Sequence, residues 1–245
     1  MTQLFLEGTL SCKAAIEGGR REKMVLYVDE KKHTRDFSWI IRKAHEKNSP
    51  VIKTDRSKLD ALCGSTSHGG MVLETVPLEL KDVKDISAAG FICYIEGVED
   101  PHNLGSVCRT LYAAGCNLLI LPNRDRSTSE KVIMRASAGT FERLNVAQTE
   151  SEKALLDWLK ENRIPLIAAE RRDARPLFGY VYPDTFCLAI GGALRGLGKD
   201  IIAQANTRLY IPYLSDMRAA LDTPSAAAVF AFHYAGEKYD QTQNQ

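Results

Sequence analysis

The residues best able to do chemistry in this chain lie between Tyr94 and Gly115, in YIEGVEDPHNLGSVCRTLYAAG. Asp100-Pro101 breaks an apolar run and favours a turn, and Asn103 follows as a good helix N-cap. Leu104, Val107, Cys108, Leu111 and Gly115 then keep the spacing of one buried helix face. Arg109 falls about a third of a turn off that stripe, so its guanidinium can meet something other than the core. Such a group, almost always protonated, suits a phosphate or a developing oxyanion. A second candidate is the loop Gly191-Gly192-Ala193-Leu194-Arg195-Gly196-Leu197-Gly198-Lys199, whose glycines let the main chain approach a ligand closely. It is not a P-loop: Ala193 stands at the first glycine position and Asp200 at the hydroxyl position, and a G-x-G-x-x-G fingerprint is absent too. A third is Leu221-Asp222-Thr223-Pro224-Ser225, which opens an alanine-rich run; Pro224 suits a helix first turn, with Thr223 as its expected cap.

These stretches also carry a resemblance. D-P-x-N-x-G-x-x-x-R, preceded by an apolar strand and Gly97-Val98, resembles the first motif of the SpoU/TrmH family, which methylates ribose 2′-hydroxyls in RNA. Arg135-Ala136-Ser137-Ala138-Gly139 is similar to the family's R-x-S-x-G segment. Gly191 to Leu197 resembles its G-x-E-x-x-G-L loop, with Ala193 where the family has glutamate. Leu209-Tyr210-Ile211-Pro212-Tyr213 and the stretch from Leu221 resemble its third motif, an I-P strand end followed by S-L-N-V-S-x-A. Asp222 stands near the Asn position, and Ser225 near the second Ser with one extra residue between.

The resemblance implies a trefoil-knotted (SPOUT) α/β domain with a mostly parallel sheet, working as a homodimer with S-adenosylmethionine bound in the knot. It implies catalytic roles for Arg109, Asn103 and Ser225, and an adenosine pocket lined by Gly191, Gly192, Gly196, Ile211 and Leu221. Arg135, Asp222 and His68 are the expected substrate contacts. Alanine at 193 can accept no hydrogen bond, so two readings stay open. Either another group replaces the glutamate and the chain methylates RNA, or it is a weakly active or non-catalytic RNA-binding relative.

Two sets of elements must position these residues. Over residues 1–79 the pattern gives a helix at Cys12–Glu17 capped by Ser11, a strand at Met24–Val28, and a helix at Asp36–Lys47 with Phe37, Ile40, Ile41 and Ala44 on one face. A strand at Val51–Thr54, a helix at Ser57–Leu62, a Gly/Ser-rich loop and a strand at Met71–Val76 complete a small α/β unit. It resembles the L30e-like substrate-binding domain of the same family, with His68-Gly69-Gly70 in place of an H-Q-G turn. That domain favours ribosomal RNA over transfer RNA as the partner, with a tRNA-directed enzyme as the alternative. Pro77 to Gly90 reads as a linker, and residues 80–245 form the second domain. There, strands at Phe91–Glu96, Leu118–Leu121, Leu166–Ala169, Phe186–Ile190 and Leu209–Ile211 alternate with helices at Asn103–Ala114, Ser129–Ala136, Glu152–Asn162 and Ser225–Ala235. This is the pattern of a largely parallel sheet covered on both faces. Lys238–Gln245 are expected to fray.

Bulk properties narrow the class. The 245 residues are 44% hydrophobic and 26% charged, ordinary for a globular protein. No apolar run approaches the roughly 18 residues that span a bilayer, and the N-terminus lacks a signal-peptide pattern, so a cytoplasmic protein without membrane contact is expected. The net charge of +1 announces no global field for nucleic acid. RNA binding would need local patches such as Arg20-Arg21-Glu22-Lys23, Lys31-Lys32-His33 or Arg171-Arg172. The six cysteines are scattered without a CxxC pair, so no metal site is expected.

Overall fold

The computed structural model describes residues 3–243. The chain runs through β1 (Leu4–Glu7), α1 (Thr9–Gly18), β2 (Val25–Asp29), α2 (Arg35–Glu46), β3 (Val51–Thr54), α3 (Arg56–Cys63) and β4 (Met71–Thr75). It continues with β5 (Lys81–Asp82), a 3-10 turn at Val83–Asp85, β6 (Phe91–Ile95), α4 (Pro101–Ala113), β7 (Leu118–Pro122), α5 (Glu130–Ala136), α6 (Thr140–Arg143) and β8 (Val146–Thr149). Last come α7 (Glu152–Glu161), β9 (Leu166–Ala169), β10 (Arg175–Pro176), β11 (Phe186–Ile190), α8 (Lys199–Gln204), β12 (Thr207–Tyr210) and α9 (Thr223–Gln243). Two compact units emerge. One holds the residues up to Glu79 together with Asp125–Arg143; the other holds Leu80–Arg124 and the residues from Leu144 onward.

In the first unit a four-stranded sheet has the order β1-β4-β2-β3, parallel only between β2 and β3. The α5–α6 turn lies tightly on α1. Gly139 has φ +82°, and a methyl group there would sit 2.7 Å from Ala14 Cβ and 2.8 Å from the Leu10 carbonyl oxygen. Ser137 Oγ donates to Met134 O and accepts from Phe141 N, closing that turn. Arg21 is the polar hub. Its Nε donates to Glu142 Oε2 at 2.8 Å and its Nη1 to Val76 O at 2.9 Å. Nη2 is held by ion pairing to Glu130 at 2.5 Å and Glu142 at 2.8 Å, not by aligned hydrogen bonds. A guanidinium this enclosed is retained only because two carboxylates compensate its desolvation.

The second unit is built on an eight-stranded sheet, β10-β12-β9-β11-β6-β7-β8-β5, in which every pairing is parallel. Sequence periodicity explains its two covered faces. Ile92, Tyr94, Cys187 and Ala189 point to the side packed by Leu155, Trp158, Leu159 and Ile201 of α7 and α8. The alternate residues serve the other side, where Phe91 and Phe186 stack at 5.2 Å and both meet Tyr234 of α9. Helices α4 and α9 pack together. After β12 the chain leads into α9, whose first residue, Thr223, donates through Oγ1 to Gly191 O at 3.2 Å, immediately past β11.

Several expectations change. Residues 77–90 are not a free linker: β5 adds to β8, and Val83 is fully buried. The strands β1, β5, β8 and β10 and the helices α6 and α8 are additions; β5 and β10, of two residues each, and α6, of four, are too short to show a period. α1 begins at Thr9, with Gly8 (φ 87°) before it and Ser11 buried inside the helix. α9 runs to Gln243 in place of the frayed tail expected from Lys238, and residues 244–245 lie outside the described chain.

Candidate active site

In an all-parallel sheet, ligands sit beyond the carboxyl ends of the strands, and the two cavities that matter are there. The first, about 190 Å³, is formed past the ends of β9, β11 and β12 by the glycine loop, Ile211, Tyr213, Leu221, Phe230 and neighbours. Its loop is folded on itself: Gly196 N donates to Gly192 O at 2.8 Å, with Gly196 at φ +65°. Glycine is required there for close approach. A methyl group on Gly191 would lie 2.5 Å from Gly196 O and Leu197 N, and one on Gly192 would lie 2.7 Å from Gly97 O. The result is bare main chain facing apolar side chains, a surface suited to a flat heterocycle. Gly191, Gly192, Gly196, Ile211 and Leu221 all line this cavity.

The second cavity, about 550 Å³, opens past the ends of β6, β7 and β8. Asn103, Asp222, Arg195, Glu99 and Arg124 are among its lining residues, and it meets the first cavity at Ala193 and Gly196, which line both. Asp100, not Asn103, caps α4: its carboxylate accepts from His102 N at 2.6 Å and Asn103 N at 3.3 Å. That moves Asn103 into the first turn, where its side chain is exposed. Likewise Asp222, not Thr223, caps α9, accepting from Ser225 N at 2.7 Å. The hydrogen bonds to the Ser225 side chain and backbone hold the Asp222 carboxyl below the usual carboxylate range. Ser225 is half-buried beside it.

A carboxylate pair anchors the glycine loop from behind. Glu96 Oε2 accepts from Gly198 N at 3.0 Å, at the N-terminus of α8, and Glu152 reaches the same turn. Burial, then the nearby Glu96 and Asp200, push the Glu152 carboxyl above its ordinary value. Tyr94, 2% exposed, lies under this pair and lines the cleft. Thiol chemistry has no place here: all six cysteines are buried and free, and burial pushes Cys116 up to about 12. Among the described residues no group of three or more His, Cys, Asp and Glu is arranged to hold a metal ion. No helix among them is long and apolar enough to cross a membrane.

The remaining expected site residues stand apart. Arg109 is exposed on α4 and lines neither cavity. Arg135 belongs to the first unit, where Nη1 donates to Glu7 Oε1 at 2.9 Å and Ser67 Oγ at 2.7 Å. His68 is fully buried; Nδ1 accepts from Gly70 N at 3.0 Å and Nε2 meets Asp60 Oδ1 at 2.8 Å. With both ring nitrogens engaged, it shapes its turn. Of the basic patches, Arg21 is consumed in its buried triad and Arg171 stacks on Tyr213 at 4.8 Å. Sequence reasoning missed Glu96, Glu152, Glu170 and Tyr213. A signal existed for two of them: Glu96 directly follows a strand, and Glu152 directly follows the helix cap Ser151.

Residues 90–232 match the SpoU rRNA Methylase family, and residues 5–81 match the RNA 2′-O ribose methyltransferase substrate-binding family. A Staphylococcus aureus protein assigned to the TrmH family of tRNA/rRNA methyltransferases is 25% identical over 235 residues, covering 93% of each chain. The AdoMet complex of the SpoU methyltransferase AviRb from Streptomyces viridochromogenes superimposes with a TM-score of 0.79 at 18% identity, covering 97% of this chain and 91% of that one. An AdoMet-bound rRNA methyltransferase from Sinorhizobium meliloti gives 0.79 at 18% identity, with coverages of 96% and 87%.

Proposed function

We propose, since this chain belongs to the SpoU rRNA methylase family, that it transfers a methyl group from S-adenosylmethionine to a ribose 2′-hydroxyl in RNA, with ribosomal RNA as substrate. The observation that carries the reading is the meeting of the two cavities at Ala193 and Gly196. One is a main-chain and apolar cradle that a Cβ at Gly191 or Gly192 would fill, which fits an adenosine. The other holds Asn103 and Asp222 and is large enough for a nucleotide. When bound, the donor supplies a methyl group already activated on a sulfonium, so the protein's work is alignment and assistance to proton loss. The glycine loop, Ile211 and Leu221 hold the adenosine; Asn103 orients the ribose; Ser225, set by Asp222, holds the substrate side. Arg109 binds a phosphate and stabilises the 2′-oxygen as its proton leaves.

Because Arg109 is exposed on α4 outside both cavities, the reading includes a homodimer in which it works from an adjoining surface. Tyr112 of α4 and Phe232 and Tyr239 of α9, 42%, 53% and 65% exposed, offer the apolar contact such an association needs. The first unit is read as the RNA-binding part, and the protein as cytoplasmic, where its substrate is made. Transfer of tritiated methyl from S-adenosylmethionine to ribosomal RNA lacking the mark tests the reading: incorporation at a 2′-oxygen is expected, and none would refute it.

Ala193 favours a second reading, an RNA-binding relative without turnover. It is exposed between the cavities, and the nearby Glu96 is occupied with Gly198 N. Calorimetric titration with S-adenosylmethionine separates the two, since only the enzyme needs the donor. Ala193→Glu should raise turnover if a carboxylate is wanted there; an unchanged rate would mean that another group does its work.

A further inference from the structure

The donor cavity has one carboxylate in its lining, Glu170, immediately after β9. Its position is fixed twice over. Its N–H donates to Leu209 O at 3.0 Å, and its Oε1 accepts from Arg171 N at 2.7 Å and Arg172 N at 3.0 Å. Oε2 accepts no hydrogen bond among the described residues. The adjacent guanidinium does not neutralise it: Arg171 stacks on Tyr213 and gives Nη1 to Arg218 O at 2.8 Å. The Tyr213 hydroxyl is itself engaged, accepting from Leu221 N at 3.1 Å. Around Glu170 the lining is largely apolar, with main-chain groups of the glycine loop.

An ionised carboxylate is acceptor-only, and a vicinal diol presents two O–H donors. An acidic side chain at a strand end is a recurrent partner of a ribose in parallel sheets. We propose that Glu170, through Oε2, accepts a hydrogen bond from the ribose diol of the adenosine in this cavity, and so selects ribonucleosides over their deoxy counterparts. The proposal rests on the donor reading of the cavity. Adenine binding to apolar and main-chain surface would recognise the base alone; Glu170 adds recognition of the sugar.

The test uses the full chain and two probes, 5′-methylthioadenosine and its 2′,3′-dideoxy counterpart, titrated calorimetrically into wild type and Glu170→Gln. Glutamine keeps an Oε1 acceptor for the two backbone N–H groups, so the turn is preserved, and an unchanged thermal midpoint checks this. Wild type should bind the ribose probe about tenfold or more tightly than the dideoxy probe, the size of a hydrogen bond to a charged group. Glu170→Gln should weaken the ribose probe by a similar factor and leave the dideoxy probe unchanged. Equal weakening of both probes, or of neither, overturns the proposal while leaving the donor cavity in place. Failure of wild type to bind either probe overturns the proposal together with the donor reading.

Discussion

Replacing Gly191 by alanine tests whether the glycine loop is a cradle or merely a turn. The added methyl would lie 2.5 Å from Gly196 O and Leu197 N and closer still to the Gly196 carbonyl carbon. All three are backbone atoms, so no side chain can swing aside; the loop must open, breaking the Gly196 N to Gly192 O hydrogen bond. Overpacking of this kind costs about 1–3 kcal/mol, and every 1.4 kcal/mol transmitted to the ligand-binding form of the loop is about tenfold in Kd. Gly191→Ala should therefore lower stability by about 1–3 kcal/mol and weaken S-adenosylmethionine binding about tenfold or more, read by denaturant unfolding and calorimetry on the same preparation. The control is Gly236→Ala, within α9, where a methyl meets nothing within 4 Å. It should be neutral or stabilising by about 0.4–1 kcal/mol. Wild-type affinity and stability in Gly191→Ala would refute the reasoning.

Other perturbations probe separate parts of the account. Arg109→Ala should abolish methyl transfer to RNA while leaving donor affinity at the wild-type value, because Arg109 lines neither cavity; undiminished turnover rules out its role. Arg21→Ala leaves Glu130 and Glu142 buried without their cation and should destabilise the fold by about 3–5 kcal/mol in urea unfolding; a loss under 1 kcal/mol would show that the triad is not a hub. Burial first, then the nearby Glu96 and Asp200, hold the Glu152 carboxyl above its ordinary value of 4.5 in the folded protein. The stability it contributes is present below 4.5 and is lost as pH rises through the folded value. Glu152→Gln, which cannot ionise, should gain on wild type in thermal midpoint as pH rises from about 4.5, and parallel profiles would contradict this.

Where side-chain pattern decides structure, the sequence was readable. The core strands β9 and β11 fall on the expected residues, because a buried strand needs a bounded apolar run; β3 does so too, although it is an edge strand with no buried residue. The glycine loop was legible because close main-chain approach demands glycine, whereas Ile211 and Leu221 were reached only through the family resemblance; all of them line the first cavity. Caps were misjudged at Asn103 and Thr223 because a neighbouring aspartate competes for the same N–H groups, and only backbone geometry decides which carboxylate reaches them. Arg21 read as a surface charge since its partners Glu130 and Glu142 are more than a hundred residues away. The same distance hid the Glu96–Gly198 anchor. The buried His68 shows the converse: a histidine in a Gly/Ser-rich loop reads as a substrate contact by resemblance, yet its ring supplies hydrogen bonds within that loop and to Asp60.

The proposed function has a methyl group, supplied by S-adenosylmethionine when bound, pass between two cavities that share Ala193 and Gly196. Its most direct test is nucleoside mass spectrometry of ribosomal RNA from a strain lacking this gene, complemented with either the wild-type or the Arg109→Ala protein. One 2′-O-methylnucleoside is expected to be missing in the deletion, restored by wild type and not by the variant. An RNA methylation profile identical in all three strains would contradict it.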